Sequence, residues 1–138
     1  MNKKIKFIIH DHEAKKAGKH QDLRFQKPND IKNWLSFAVR KGVPLEPGTR
    51  VLAIKTNLHS EKEALFTGEI PEGEYGAGKL KVYDKGFAII ERYSPSHIAL
   101  SFKGRKVKGL YHLINVGVSN RQKYRKNQYM LFKGTIKT

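Results

Sequence analysis

His20-Gln21-Asp22-Leu23-Arg24-Phe25 alternates polar and apolar side chains without a break. Residues two apart along a β-strand project from one face, so His20, Asp22 and Arg24 line one side and Leu23 and Phe25 the other. The same short-period pattern recurs along the chain. Lys4 to Ile9, Trp34 to Arg40, Val51 to Thr56, Lys79 to Asp84 and Phe87 to Tyr93 read as strands, as do Ile98 to Lys103, Lys106 to Val116 and Tyr129 to Lys133. Asp84-Lys85-Gly86 and Lys103-Gly104-Arg105 read as compact hairpin connections. Helix is confined to Glu13 to Ala17 and to Ser60 to Leu65, where Ser60 is placed as an N-cap. Regularly spaced strands with so little helix predict an all-β fold, a compact β-barrel of about eight or nine short strands with one or two helical turns; a compact sandwich is the other architecture this spacing allows. Trp34, Phe37, Phe66, Tyr83, Phe102 and Phe132 are assigned to the core, and the polar, basic stretch Asn120 to Asn127 to a mobile loop.

The 138 residues fit a single domain, 1–138, large enough to bury a core without staples. There is no cysteine, so a transition-metal site has to be built from His, Asp, Glu and main-chain or water oxygen. No apolar run approaches the roughly 18 residues of a membrane span, and Met1-Asn2-Lys3-Lys4-Ile5-Lys6 lacks the apolar core of a signal peptide. The expectation is a cytoplasmic, nucleoid-associated monomer. Lys and Arg number 28 against 12 Asp and Glu, a formal charge of +16. Such a surface attracts polyanions, because displacing condensed counterions from a phosphate backbone favours binding. Charge alone carries no catalytic information.

Chemistry gathers around the opening stretch. Alternation by itself describes a half-buried strand with a solvated polar face. His12 adds a second reading: if Glu13 to Lys19 forms a turn, aided by the freedom of Gly18, it returns to the face of His20 and Asp22. Two imidazoles and a carboxylate then offer three metal ligands with open positions for water and substrate. Both readings stand at this level. His59, after a strand and before a short helix, suits a surface residue, a helix-cap neighbour, a general acid or a hydrogen-bond donor to a phosphoryl oxygen. Gly68-Glu69-Ile70-Pro71-Glu72-Gly73-Glu74-Tyr75-Gly76-Ala77-Gly78 matches no phosphate-binding fingerprint and reads as a structured turn. His97 and His112 read as structural or surface residues.

In order, the motifs resemble the 3′-phosphoesterase domain of bacterial and archaeal DNA ligase D, which also occurs as a stand-alone protein. His12 followed by His20-Gln21-Asp22-Leu23-Arg24, then Trp34 to Gly42, Leu52-Ala53 through His59, and Lys106 to Leu113 with Tyr129 to Lys133 carry the likeness. The most specific block is Phe66 to Gly78, which follows the family's Phe-x-Gly-x-Ile-Pro-x-Gly-x-Tyr-Gly-Ala-Gly. The resemblance implies a β-barrel with a concave active site and a manganese-preferring phosphoesterase, with Zn2+ or Co2+ as alternative metals. It implies DNA primer-template 3′ ends as substrate, carrying ribonucleotides or a 3′-phosphate, and a separate DNA ligase or polymerase of end joining as partner. Carried across, His12, His20 and Asp22 bind metal, Arg24 binds phosphate and His59 contacts the scissile phosphate. Lys41, Arg50 and His10 join Arg24 as phosphate- or DNA-binding residues.

This chain departs from the family pattern at several positions. The gap from His12 to His20 is long, and His10 stands where the family often has glutamine. Asn57-Leu58 replaces an acidic pair, and Glu63 replaces a tyrosine. The arginine of the Leu-Ala strand falls on Val51, with Arg50 one place away on the opposite face. Two rival readings remain: a non-catalytic basic nucleic-acid-binding barrel, and an iron oxygenase using the same His/Asp set.

Overall fold

The computed structural model describes residues 3–74, 76–116 and 126–134. Among these lie ten strands and one helix: β1 (Lys4–Ala14), β2 (Gly18–Lys27), β3 (Asp30–Val39), β4 (Arg50–Lys55), β5 (His59–Ser60), α1 (Glu61–Leu65), β6 (Gly68–Ile70), β7 (Gly78–Tyr93), β8 (His97–Lys103), β9 (Lys108–Asn115) and β10 (Gln128–Lys133). Eight strands follow the order β1-β2-β3-β4-β10-β9-β8-β7, every pairing antiparallel, and β7 returns to pair with β1. That last pairing closes an eight-stranded barrel and removes both sheet edges. The short β5 adds to β3 and β6 adds to β7.

Alternation decides what fills the barrel. Phe7 and Ile9 of β1, Leu23 and Phe25 of β2, Leu35 and Phe37 of β3, and Leu100 and Phe102 of β8 belong to one buried core, closed by Tyr111, Leu113 and Leu131. Phe25 stacks on Phe37 at 5.7 Å and Phe7 meets Phe102 edge-on at 4.8 Å. An eight-stranded barrel is just wide enough for such side chains, so the functional groups project from its outer surface. There a separate buried cluster of Ile8, Trp34 and Ala64 seats α1 against the wall.

Several expectations are corrected. Asp84-Lys85-Gly86 is no hairpin, because β7 runs unbroken from Gly78 to Tyr93. A Cβ on Gly86 would stand 2.6 Å from the Lys103 carbonyl oxygen, so this glycine permits close strand approach rather than a turn. The Asp84 carboxylate accepts backbone N–H bonds from Lys85, Arg105, Lys106 and Val107 at 2.7–3.0 Å, clamping the β8–β9 turn onto β7. Glu13 to Ala17 is not helical: β1 continues to Ala14 and a turn follows. Phe66 is 45 % exposed, outside the core, and Phe132 lies on the outer surface, where Arg50 covers it. Ser60 does cap α1, in a reciprocal capping box with Glu63. Residues 120–125 of the stretch assigned to a mobile loop lie outside the described residues. No helix among those described is long and apolar enough to cross a membrane.

Candidate metal centre

The β1–β2 hairpin builds the site through its register. The turn closes at Ala14 opposite Gly18, whose φ of +77° suits a glycine. That closure sets His12 opposite His20, His10 opposite Asp22 and Ile8 opposite Arg24. All six side chains therefore share the outer face of one strand pair. The two imidazole centroids of His12 and His20 are 4.7 Å apart. Opposite β7 the register slips between Ile9 and His10, a bulge of the kind that re-aims side chains near functional sites.

Asp22, 5 % exposed, lies between the rings. His12 Nδ1 is 2.9 Å from Asp22 Oδ2, and His20 Nε2 is 3.1 Å from Asp22 Oδ1. The far nitrogens meet main-chain carbonyls: His12 Nε2 donates to Gly76 O at 2.9 Å and His20 Nδ1 to Gly18 O at 3.1 Å. A carbonyl oxygen only accepts, so these two contacts fix both tautomers and turn the lone pairs of His12 Nδ1 and His20 Nε2 towards the carboxylate. Lone pairs facing a carboxylate require positive charge between them, from protons or from a metal cation. The three ligand atoms lie within 4.8 Å of one another, and two imidazole nitrogens with one carboxylate oxygen are a common donor set for a first-row divalent ion. The residues fit such an ion.

Electrostatics agree with this geometry. Burial pushes the Asp22 carboxyl up, yet bonds to His12 and His20 and the Arg24 charge hold it well below the usual carboxylate range. The hydrogen bond to Asp22 raises His20, against its own burial. Arg24, 8 % exposed, donates from Nε to Ser36 Oγ at 3.1 Å and keeps a terminal nitrogen 3.6 Å from Asp22.

His59 reaches the same neighbourhood from β5, which pairs with Trp34 of β3. Its Nδ1 lies 3.9 Å from Glu63. Burial lowers its pKa first and the Arg24 charge lowers it further. His10 is fully buried and contacts Thr67 Oγ1 at 3.2 Å; burial, then Arg24, bring its pKa down to about 4. Of the sequence-selected residues, His10, His12, His20, Asp22, Arg24 and His59 thus come together. Lys41 is exposed in the turn after β3, and Arg50 packs over Phe132 at 5.1 Å rather than against the cluster. Sequence reasoning missed Ser36, whose hydroxyl holds Arg24, and Arg40, whose charge acts on His20. It also missed the Gly76 carbonyl, since a main-chain contact leaves no side-chain signal.

The family model described as the DNA Ligase D 3′-phosphoesterase domain matches residues 10–115. The multifunctional non-homologous end joining protein LigD of Pseudomonas aeruginosa is 31% identical over 123 residues, covering 86% of this chain and 14% of the relative. Its namesake from Mycolicibacterium smegmatis is 34% identical over 126 residues, covering 83% and 16% respectively. The corresponding DNA repair protein of Mycobacterium tuberculosis is 32% identical over 130 residues, covering 88% and 16%. This chain therefore spans under a fifth of the length of these relatives.

Proposed function

This chain belongs to the DNA ligase D 3′-phosphoesterase domain family, and from that premise we propose that it is a metal-dependent phosphoesterase trimming DNA 3′ ends for end joining. The observation that carries the reading is the oriented trio of His12, His20 and Asp22 with Arg24 beside it. These three residues would hold a divalent cation, Mn2+ in the first instance. Bound there, the ion supplies Lewis-acid polarisation of a phosphoryl oxygen and acidifies a water.

The chain's own residues do the remainder. Arg24, held by Ser36 and Asp22, presents a guanidinium that neutralises phosphate charge. His59, whose pKa lies below the ordinary histidine value, is neutral at pH 7 and donates a hydrogen bond from a ring N–H towards the leaving oxygen. The net charge of +16, with Lys41 among its contributors, holds the DNA backbone. Substrates are primer-template 3′ ends bearing a ribonucleotide or a phosphate. The relatives are named for non-homologous end joining, so a DNA ligase or polymerase of end joining is the proposed protein partner beside the DNA end itself.

The test is a 5′-labelled primer-template ending in one ribonucleotide, incubated with and without MnCl2. Stepwise shortening to a 3′-phosphate end and then to a 3′-hydroxyl, only with metal, is the expected result. DNA binding with no metal-dependent cleavage would overturn the proposal in favour of a non-catalytic binding barrel.

A further inference from the structure

His97 opens β8 and His112 lies within β9, whose pairing sets Ala99 opposite His112 and His97 opposite Ile114. The two histidines are diagonal neighbours on one face, and His97 Nε2 is 2.8 Å from His112 Nδ1. Both are held in place. The His97 N–H donates to Ser94 and the Ser94 N–H donates back to the His97 carbonyl, while the His112 ring stacks on Phe132 at 5.2 Å. His112 is 6 % exposed, whereas His97 is half-buried and reaches solvent.

We propose that His97 and His112 form a second metal site, a two-imidazole clamp for a first-row divalent ion such as Zn2+, Ni2+ or Cu2+, independent of the His12–His20–Asp22 trio. Two ring nitrogens this close share one proton, and a cation that binds both takes its place. Burial keeps both rings below the ordinary histidine pKa, with the Arg92 charge lowering His97 further and the Gly134 backbone partly offsetting the fall at His112. They are therefore neutral, the form that ligates, at pH 7. The exposed side of His97 leaves the remaining coordination positions to water. With no carboxylate in the pair, the clamp favours ions that prefer imidazole and discriminates against Mn2+, which stands lowest in divalent affinity. In the closed barrel order β9 stands opposite β2, so the clamp and the trio occupy opposite walls. An ion here ties β8 to β9 and stabilises the fold without touching the chemistry.

The experiment is a calorimetric titration of ZnCl2 into the whole chain. The expectation is two Zn2+ per wild-type chain, one for His20→Ala/Asp22→Ala, and none once His97→Ala is added. Adding His97→Gln, at the same half-exposed position, to that background guards against misfolding and should weaken Zn2+ binding at least about tenfold. Zn2+ should also shift the His112 Nδ1 resonance in the chain lacking the trio. His97→Ala alone should leave Mn2+-dependent cleavage unchanged. The same Zn2+ stoichiometry with and without His97, or no binding once the trio is removed, would overturn the proposal.

Discussion

The Gly76 carbonyl accepts a hydrogen bond from His12 Nε2 at 2.9 Å and joins the glycine-rich turn to the candidate metal site. A segment without a phosphate-binding fingerprint thus acts on the site through its main chain. Gly76 carries that carbonyl on a left-handed backbone with φ of +77°, and a Cβ there would lie 3.7 Å from His12 Cε1.

Gly76→Ala should therefore act mainly through its backbone. An alanine strains a left-handed conformation by about 1–2 kcal/mol, and the carbonyl turns away from His12. Loss of an orienting partner of this kind weakens metal binding about 10- to 100-fold. Calorimetry with MnCl2 checks it, and an unchanged affinity would detach the glycine turn from the site.

Removing a ligand should separate chemistry from binding. His20→Ala and Asp22→Ala are each expected to lower metal-dependent cleavage by about two orders of magnitude or more. Affinity for duplex DNA at low salt, measured by fluorescence anisotropy, should stay within about threefold because the basic surface is intact. Full activity in either variant would refute the ligand assignment.

Arg24→Lys keeps the charge and loses the planar fork that lets one side chain meet Ser36, Asp22 and a phosphate together. A fall of about 10- to 100-fold in kcat/KM is expected. Steady-state kinetics on a 3′-phosphate primer would measure it, and wild-type rates would show that charge alone suffices.

Asp84 governs stability rather than catalysis. Burial pushes its carboxyl up, yet bonds from Val107, Arg105, Lys106 and Lys85 hold it below its ordinary 3.8. A depressed folded pKa means the stabilisation is complete above the unfolded value and is lost as pH falls through the folded one. Asp84→Asn presents an amide where N–H donors converge and should cost about 1–3 kcal/mol at pH 7. Thermal melts from pH 7 to pH 3 should show the gap to wild type narrowing below about pH 4. A gap independent of pH would contradict this role.

Much of the fold was legible because alternation is local. The run from His20 to Phe25 faces outward and inward as its pattern implies, with Leu23 and Phe25 in the core. Asp84-Lys85-Gly86 misled because a glycine that relieves close contact between strands has the same letter as one that makes a turn. Phe66 misled because hydrophobicity does not reveal which face a residue occupies.

The sequence by itself determined an all-β chain, strongly basic, and through its family resemblance singled out His12, His20, Asp22 and Arg24 as candidates. Strand period and side-chain type are properties of neighbouring residues and need nothing distant. Tertiary structure alone decided that β7 closes on β1, that the packed interior puts the site outside, and that Gly76 orients His12. It alone paired His97 with His112. Each of these joins positions far apart along the chain, and such contacts exist only once strand register has closed the barrel.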